Sequence, residues 1–105
     1  MTTMNEVNIT GLRDGWLQVS LSGDIDLGNA EAFYNEVFSA YKQNPANILF
    51  DCAALDFIDS TTLGTFVKIL KAVKTDGFTM KLVHLQAKIK KLFLICSLDS
   101  IMEIE

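Results

Sequence analysis

Apolar and polar residues alternate singly near the start of the chain. Leu17, Val19 and Leu21 interleave with Trp16, Gln18, Ser20 and Ser22. A period of two puts one set on a buried face and the other in water, which is the pattern of a strand in a sheet covered on one side. Residues 5–11 and 15–22 read as a hairpin around the turn-forming cluster Arg13-Asp14-Gly15. The segment S-G-D-I-D-L-G, residues 22–28, reads as a tight loop. After it the period changes: Phe33, Val37, Ala40 and Tyr41 form a helical stripe over 29–43, ended by Asn44-Pro45 because a residue before proline is pushed out of the helical region.

The stretch on which the rest of the chain is organised is L-D-F-I-D-S-T-T-L-G, residues 55–64. A strand over 46–51, with Ile48, Leu49 and Phe50, leads toward it. Leu63, Phe66, Val67, Leu70 and Val73 leave it at helical spacing, predicting a helix over 60–75 closed by Asp76-Gly77. Alternation returns in 78–83. A third helix over 87–96 is expected to bury Ile89, Leu92, Phe93 and Cys96 while Lys88, Lys90 and Lys91 face water. Residues 101–104 read as a short last strand.

Strands separated by helices favour right-handed crossovers and a largely parallel sheet. The strands alternate instead of being uniformly apolar, so one sheet face should carry no helices. The expected fold is α/β: a single domain over residues 1–105, with a mixed β-sheet of four to five strands and helices mainly on one face.

Composition narrows the function. With 105 residues, half of them hydrophobic, the chain can bury one core. Its net charge of −4 argues against non-specific binding of nucleic acid and against docking on an anionic membrane. Cys52 and Cys96 stand far apart in apolar surroundings and read as buried free thiols of a reducing compartment. The first residues, M-T-T-M-N-E-V-N, show no secretory signal, and no apolar run reaches the ~18 residues of a membrane span. The expected location is cytoplasmic.

Candidate chemistry concentrates at Ser60. Asp59 and Ser60 are residue types that cap a helix start, since a side-chain oxygen can accept a hydrogen bond from an orphan backbone N–H. Capping alone accounts for most serines at such positions. A nucleophilic Ser60 would need a base within reach and a strained elbow such as G-x-S-x-G, whereas the only histidine, His84, reads as a partly exposed residue at a strand end. Asp24 and Asp26 form a D-x-D pair like that of magnesium-dependent phosphatases. That pair follows a hairpin strand rather than a central parallel one, and turns and helix starts favour aspartate in any case. No Gly-rich phosphate loop occurs, and no cofactor or metal is expected. The reading is a binding module, not an enzyme.

The pattern L-D-F-I-D-S-T-T-L-G, with G-D-I-D upstream and K-I-K-K-L-F-L-I-C-S-L-D-S-I-M-E-I near the end, resembles the STAS domain, and within it the bacterial anti-sigma-factor antagonists. The resemblance covers nearly the whole chain, and D-S-[ST] at the helix start is its most specific part. It implies that Ser60 is the phosphoacceptor of a serine kinase that is also the anti-sigma factor. It further implies that Asp24, Asp26, Asp59, Thr61, Thr62 and Leu63 border the partner surface, with Thr61 and Thr62 as alternative acceptors, and that a PP2C-type phosphatase resets the switch. Departures from the family pattern are Thr62 where glycine is common, Asp24 for glutamate, and Cys96-Ser97 for a late T-G. An unphosphorylated STAS scaffold in a larger regulatory or lipid-transport assembly is the alternative reading.

Overall fold

Alternation and helical spacing build nine elements in the computed structural model of the chain, which describes residues 4–105: β1 (Val7–Arg13), β2 (Trp16–Ile25), α1 (Ala30–Gln43), β3 (Asn47–Ile58), α2 (Ser60–Thr75), β4 (Met80–Val83), α3 (Ala87–Ile95), a 3-10 turn (Leu98–Ser100) and β5 (Glu103–Ile104). The sheet order is β1-β2-β3-β4-β5. β1 and β2 pair antiparallel, and the remaining neighbours are parallel. Because spatial order follows chain order, right-handed crossovers send all three helices to the same face. Burial agrees: Leu17, Val19, Leu21, Ile48, Phe50, Met80 and Leu82 are buried, while Ser20, Leu49, Asp51 and Lys81 on the other face stay partly or fully accessible. The expected mixed sheet, with one face free of helices, is what the chain forms.

Strand boundaries differ from the reading by periodicity: β1 runs Val7–Arg13 instead of 5–11, and β5 covers only Glu103–Ile104 of 101–104. β2 runs through the supposed loop to Ile25, so Asp24 is a strand residue opposite Phe57. β3 runs to Ile58 instead of ending at residue 51. β4 begins only at Met80. The β3 extension escaped the period-two test because the β2–β3 register shifts twice. Ser20 to Ser22 oppose Asp51 to Ala54, and Gly23 to Asp24 oppose Leu55 to Phe57, so β3 carries one extra residue at each shift. Its buried positions therefore fall at Ile48, Phe50, Cys52, Leu55 and Ile58, in steps of two and then three.

Phe66 of α2 ties the layers together. Its ring meets Phe33 of α1 at 5.2 Å, Phe50 of β3 at 5.2 Å and Phe93 of α3 at 5.4 Å between centroids, all edge to face. At the far end of the helices the Tyr41 hydroxyl donates to Asp76 Oδ2 at 2.7 Å. Burial and that carboxylate push the Tyr41 pKa up to about 12.

Cys52 is buried as expected, and desolvation, with the Asp51 carboxylate nearby, raises its thiol to about 12. Cys96 and Leu92 are corrections. Helical spacing places both in the core, yet Cys96 is exposed and Leu92 is 37% exposed. α3 is only nine residues long and buries just Ile89 and Phe93, a stripe narrower than the spacing implied.

Candidate functional site

Parallel pairing of β2 with β3 delivers the ends of both strands, and the loops that follow, to one edge of the sheet. Asp59 follows β3 in an extended conformation and caps α2. Its Oδ1 accepts from the Thr62 backbone N–H at 3.0 Å. Its Oδ2 accepts from the Leu27 N–H at 2.8 Å, across 32 residues of chain. The bond from the Thr62 N–H, helped by that from Leu27, outweighs partial desolvation and holds the Asp59 carboxyl below its ordinary range. Asp59 is thus ionised at neutral pH and fastens the β2–α1 loop to the start of α2.

The loop is also held from within. The Asp26 N–H donates to Asn29 Oδ1 at 2.8 Å, Asp26 Oδ1 accepts from the Gly28 N–H at 2.9 Å, and Asn29 Nδ2 donates to the Asp24 carbonyl at 3.0 Å. Aspartates in a turn do this because their short carboxylates reach backbone N–H groups two residues on. The consequence is that Leu27, at the crest, is 76% exposed on a hydrogen-bonded scaffold. Phe57, the residue opposite Asp24, is 49% exposed.

Ser60 is the first residue of α2 and is exposed, and its hydroxyl makes no hydrogen bond to the protein among the described residues. Thr61 is exposed beside it. With Leu27, Glu31, Tyr34, Thr65 and Lys68 it lines a cavity of about 380 Å³ between α1 and α2. The Lys68 ammonium stands over the Tyr34 ring, 4.1 Å from its centroid. Asp56, also exposed, accepts from Gln86 Nε2, which bonds the Leu55 carbonyl as well and ties the start of α3 to this edge.

Two expected surface residues point inward. Thr62 is fully buried, its hydroxyl donating to the Ile25 carbonyl and lying 3.0 Å from Asp59 Oδ1. It can neither meet a partner nor accept a phosphate without leaving this pocket. Leu63 is only 8% exposed and belongs to the core. On the helix, positions 62 and 63 face the sheet while 60 and 61 face out, which the bare motif does not reveal. Leu27 and Phe57, by contrast, were missed. Their signals are an apolar residue inside an otherwise polar loop, and the adjacent apolar pair Phe57-Ile58, which cannot both face inward in a strand.

His84, the histidine weighed above as a base for Ser60, has another partner. His84 Nδ1 lies 3.1 Å from Asp51 Oδ1, both groups being exposed at the end of β4 and on the open sheet face, so the histidine serves Asp51 rather than Ser60. Desolvation would raise the Asp51 pKa, but the Ala53 N–H and His84 together hold it low. Among the described residues no group of three His, Cys, Asp or Glu side chains could hold a metal ion. No helix among them is long and apolar enough to cross a membrane.

The STAS domain family model matches residues 8–105. The anti-sigma-B factor antagonist of Bacillus subtilis is 32% identical over 88 residues, 84% of this chain and 80% of that protein. A candidate anti-sigma factor antagonist from Thermotoga maritima superposes with a TM-score of 0.82 at 26% identity, covering 93% of this chain and 82% of the other. SpoIIAA in its unphosphorylated form gives 0.74 at 15% identity over 94% of this chain and 86% of its own. Its phosphorylated form, described as a Bacillus cell-fate determinant, gives 0.73 at 17% over 94% and 90%. On sequence and fold together, the chain belongs to the STAS-domain family and, within it, to the bacterial anti-sigma-factor antagonists.

Proposed function

We propose that this chain is the phosphorylation-controlled half of a partner switch. Unmodified, it binds an anti-sigma serine kinase through the edge around Ser60 and so frees a sigma factor. Phosphorylation of Ser60 releases it, and a PP2C-type phosphatase restores it. The observation that carries the reading is the exposed Ser60 at the mouth of a 16-residue helix. Beside it an exposed leucine stands on a loop already hydrogen-bonded into place, so little ordering entropy is lost on docking.

A phosphate adds roughly −1.5 to −2 charges at neutral pH. The helix dipole favours that charge by ~0.3–1 kcal/mol, so the fold tolerates it. Asp59, Asp26 and Asp24 oppose it, and a partner surface fitted to a neutral hydroxyl would have to desolvate it. A penalty of about 3 kcal/mol lowers affinity more than a hundredfold, which suffices for a switch without refolding.

The test is calorimetric binding of the anti-sigma factor from the native host. Ser60→Ala is expected to bind as the wild type and to resist phosphorylation, with Ser60→Asp weaker by at least a hundredfold. Equal affinities, or a phosphate mapped by mass spectrometry to any other residue, would refute the proposal.

A further inference from the structure

Charge is unevenly distributed along the chain, although Lys68 stands on the α1 side of α2, in the cavity that Leu27 and Thr61 also line. α2 and α3 together carry Lys68, Lys71, Lys74, Lys88, Lys90 and Lys91 and no acidic residue. The rest of the chain has three basic residues against all thirteen acidic ones. On α3, helical periodicity sets Lys88, Lys91 and Ile95 away from the buried Ile89 and Phe93. Ile95 is 68% exposed and Ile101 42%. Ile101 also borders, with Val67, Leu70, Lys71 and Lys74, a groove of about 490 Å³. This groove is therefore apolar, with Lys71 and Lys74 on its rim. The Ser60 edge is its counterpart, with Leu27 and Phe57 exposed among Asp24, Asp26, Asp56 and Asp59.

We propose that the apolar groove beside α2, rimmed by Lys71 and Lys74, docks the acidic edge around Leu27 and Phe57 of a second copy of this chain, a head-to-tail contact that covers Ser60. Apolar residues on both sides meet apolar residues, and charges of opposite sign surround them, the arrangement that raises on-rate and sets orientation at interfaces. The contact joins two different patches, so it closes into a ring or propagates. An anionic lipid surface fits less well. The molecule is only 20 Å thick along its shortest axis, so the acidic remainder would lie close to the same membrane. Exposed leucine and isoleucine offer nucleic acid no base-edge contact. The contact, formed by the unmodified chain, does not depend on Ser60 being a phosphoacceptor. Only its consequence, competition with the anti-sigma factor for one edge, rests on the function proposed above.

Sedimentation velocity of the full chain tests this without any partner protein. At low salt the wild type is expected to sediment faster as concentration rises. At about 0.5 M salt, where screening shortens the reach of charge to a few ångströms, association should weaken at least tenfold. Leu27→Asp and Ile101→Asp, both at exposed positions, should each abolish self-association with unchanged circular dichroism. Mixed in equal amounts, these variants should form a dimer and nothing larger, because each retains the half-site the other lacks. A wild type that stays monomeric at low salt, variants that still self-associate, or a mixture that yields no dimer would overturn the proposal. So would binding of the wild type to phosphatidylglycerol vesicles without self-association.

Discussion

Replacing Thr62 by valine removes one oxygen and little else. The side chain is fully buried, so water cannot take over from the lost hydroxyl, and valine fills nearly the same volume, so no cavity opens. What is lost is the donor to the Ile25 carbonyl at the point where β2 meets the loop bearing Leu27. A buried acceptor deprived of its donor costs about 1–3 kcal/mol. The bond from the Thr62 backbone N–H to Asp59 survives the change. Thr62→Ser keeps the hydroxyl and forfeits one methyl, worth ~0.8 kcal/mol. Thr62→Gly loses both and adds roughly 0.5–1 kcal/mol of helix penalty. Urea unfolding followed by circular dichroism measures all three, and the denaturant slope should stay constant while the midpoint moves. For a domain of this size 1 kcal/mol corresponds to a shift of roughly 4–8 °C in Tm. Amide exchange adds a local reading, since the Leu27 and Gly28 amides should lose protection in Thr62→Val beyond the global loss. A valine variant as stable as the wild type would show that the hydroxyl bond contributes nothing and that the reading of the buried site is wrong.

Three further outcomes are expected. Leu27→Ala should leave the unfolding midpoint unchanged, because the side chain is 76% exposed, yet weaken anti-sigma binding about tenfold to a hundredfold by withholding ~1.5–3 kcal/mol of apolar burial, measured by calorimetry. Phe66→Ala opens the centre of the aromatic cluster and should cost about 3–5 kcal/mol in urea unfolding, with loss of near-ultraviolet dichroism. The Asp59 carboxyl should titrate below 3.8 by carbon-13 NMR. Its folded pKa is depressed by the Thr62 and Leu27 N–H bonds, so its stabilising effect is present above the unfolded value and fades as pH falls through the folded one. Asp59→Asn should remove that acid-side dependence, and an Asp59 titrating at or above 3.8 would count against the clamp.

Local pattern made most of the fold readable. The helix over 60–75, the hairpin and the bare sheet face all follow from residue spacing and from a few turn residues, because those signals act between near neighbours in the chain. Asp59 and Ser60 marked the helix start for the same reason. The far half of β3 was not readable, since two extra residues break its alternation and only the partner strand reveals where they lie. Thr62 and Leu63 were placed on the surface with Ser60, although one turn of helix separates inward from outward positions within three residues.

The order of apolar and polar residues thus dictated which segments become strands and helices, and which hydroxyl begins α2, because those outcomes depend on interactions a few residues apart. Contacts across 32 residues, from the Asp59 carboxylate to the Leu27 amide, decided that Leu27 stands out, and a bond across 37 residues decided that Thr62 turns in. The meeting of Ile101 with Val67 and Leu70 of α2 in one groove arises in the same way, across more than 30 residues of chain. Spacing cannot encode such meetings, because they depend on the pairing of whole strands.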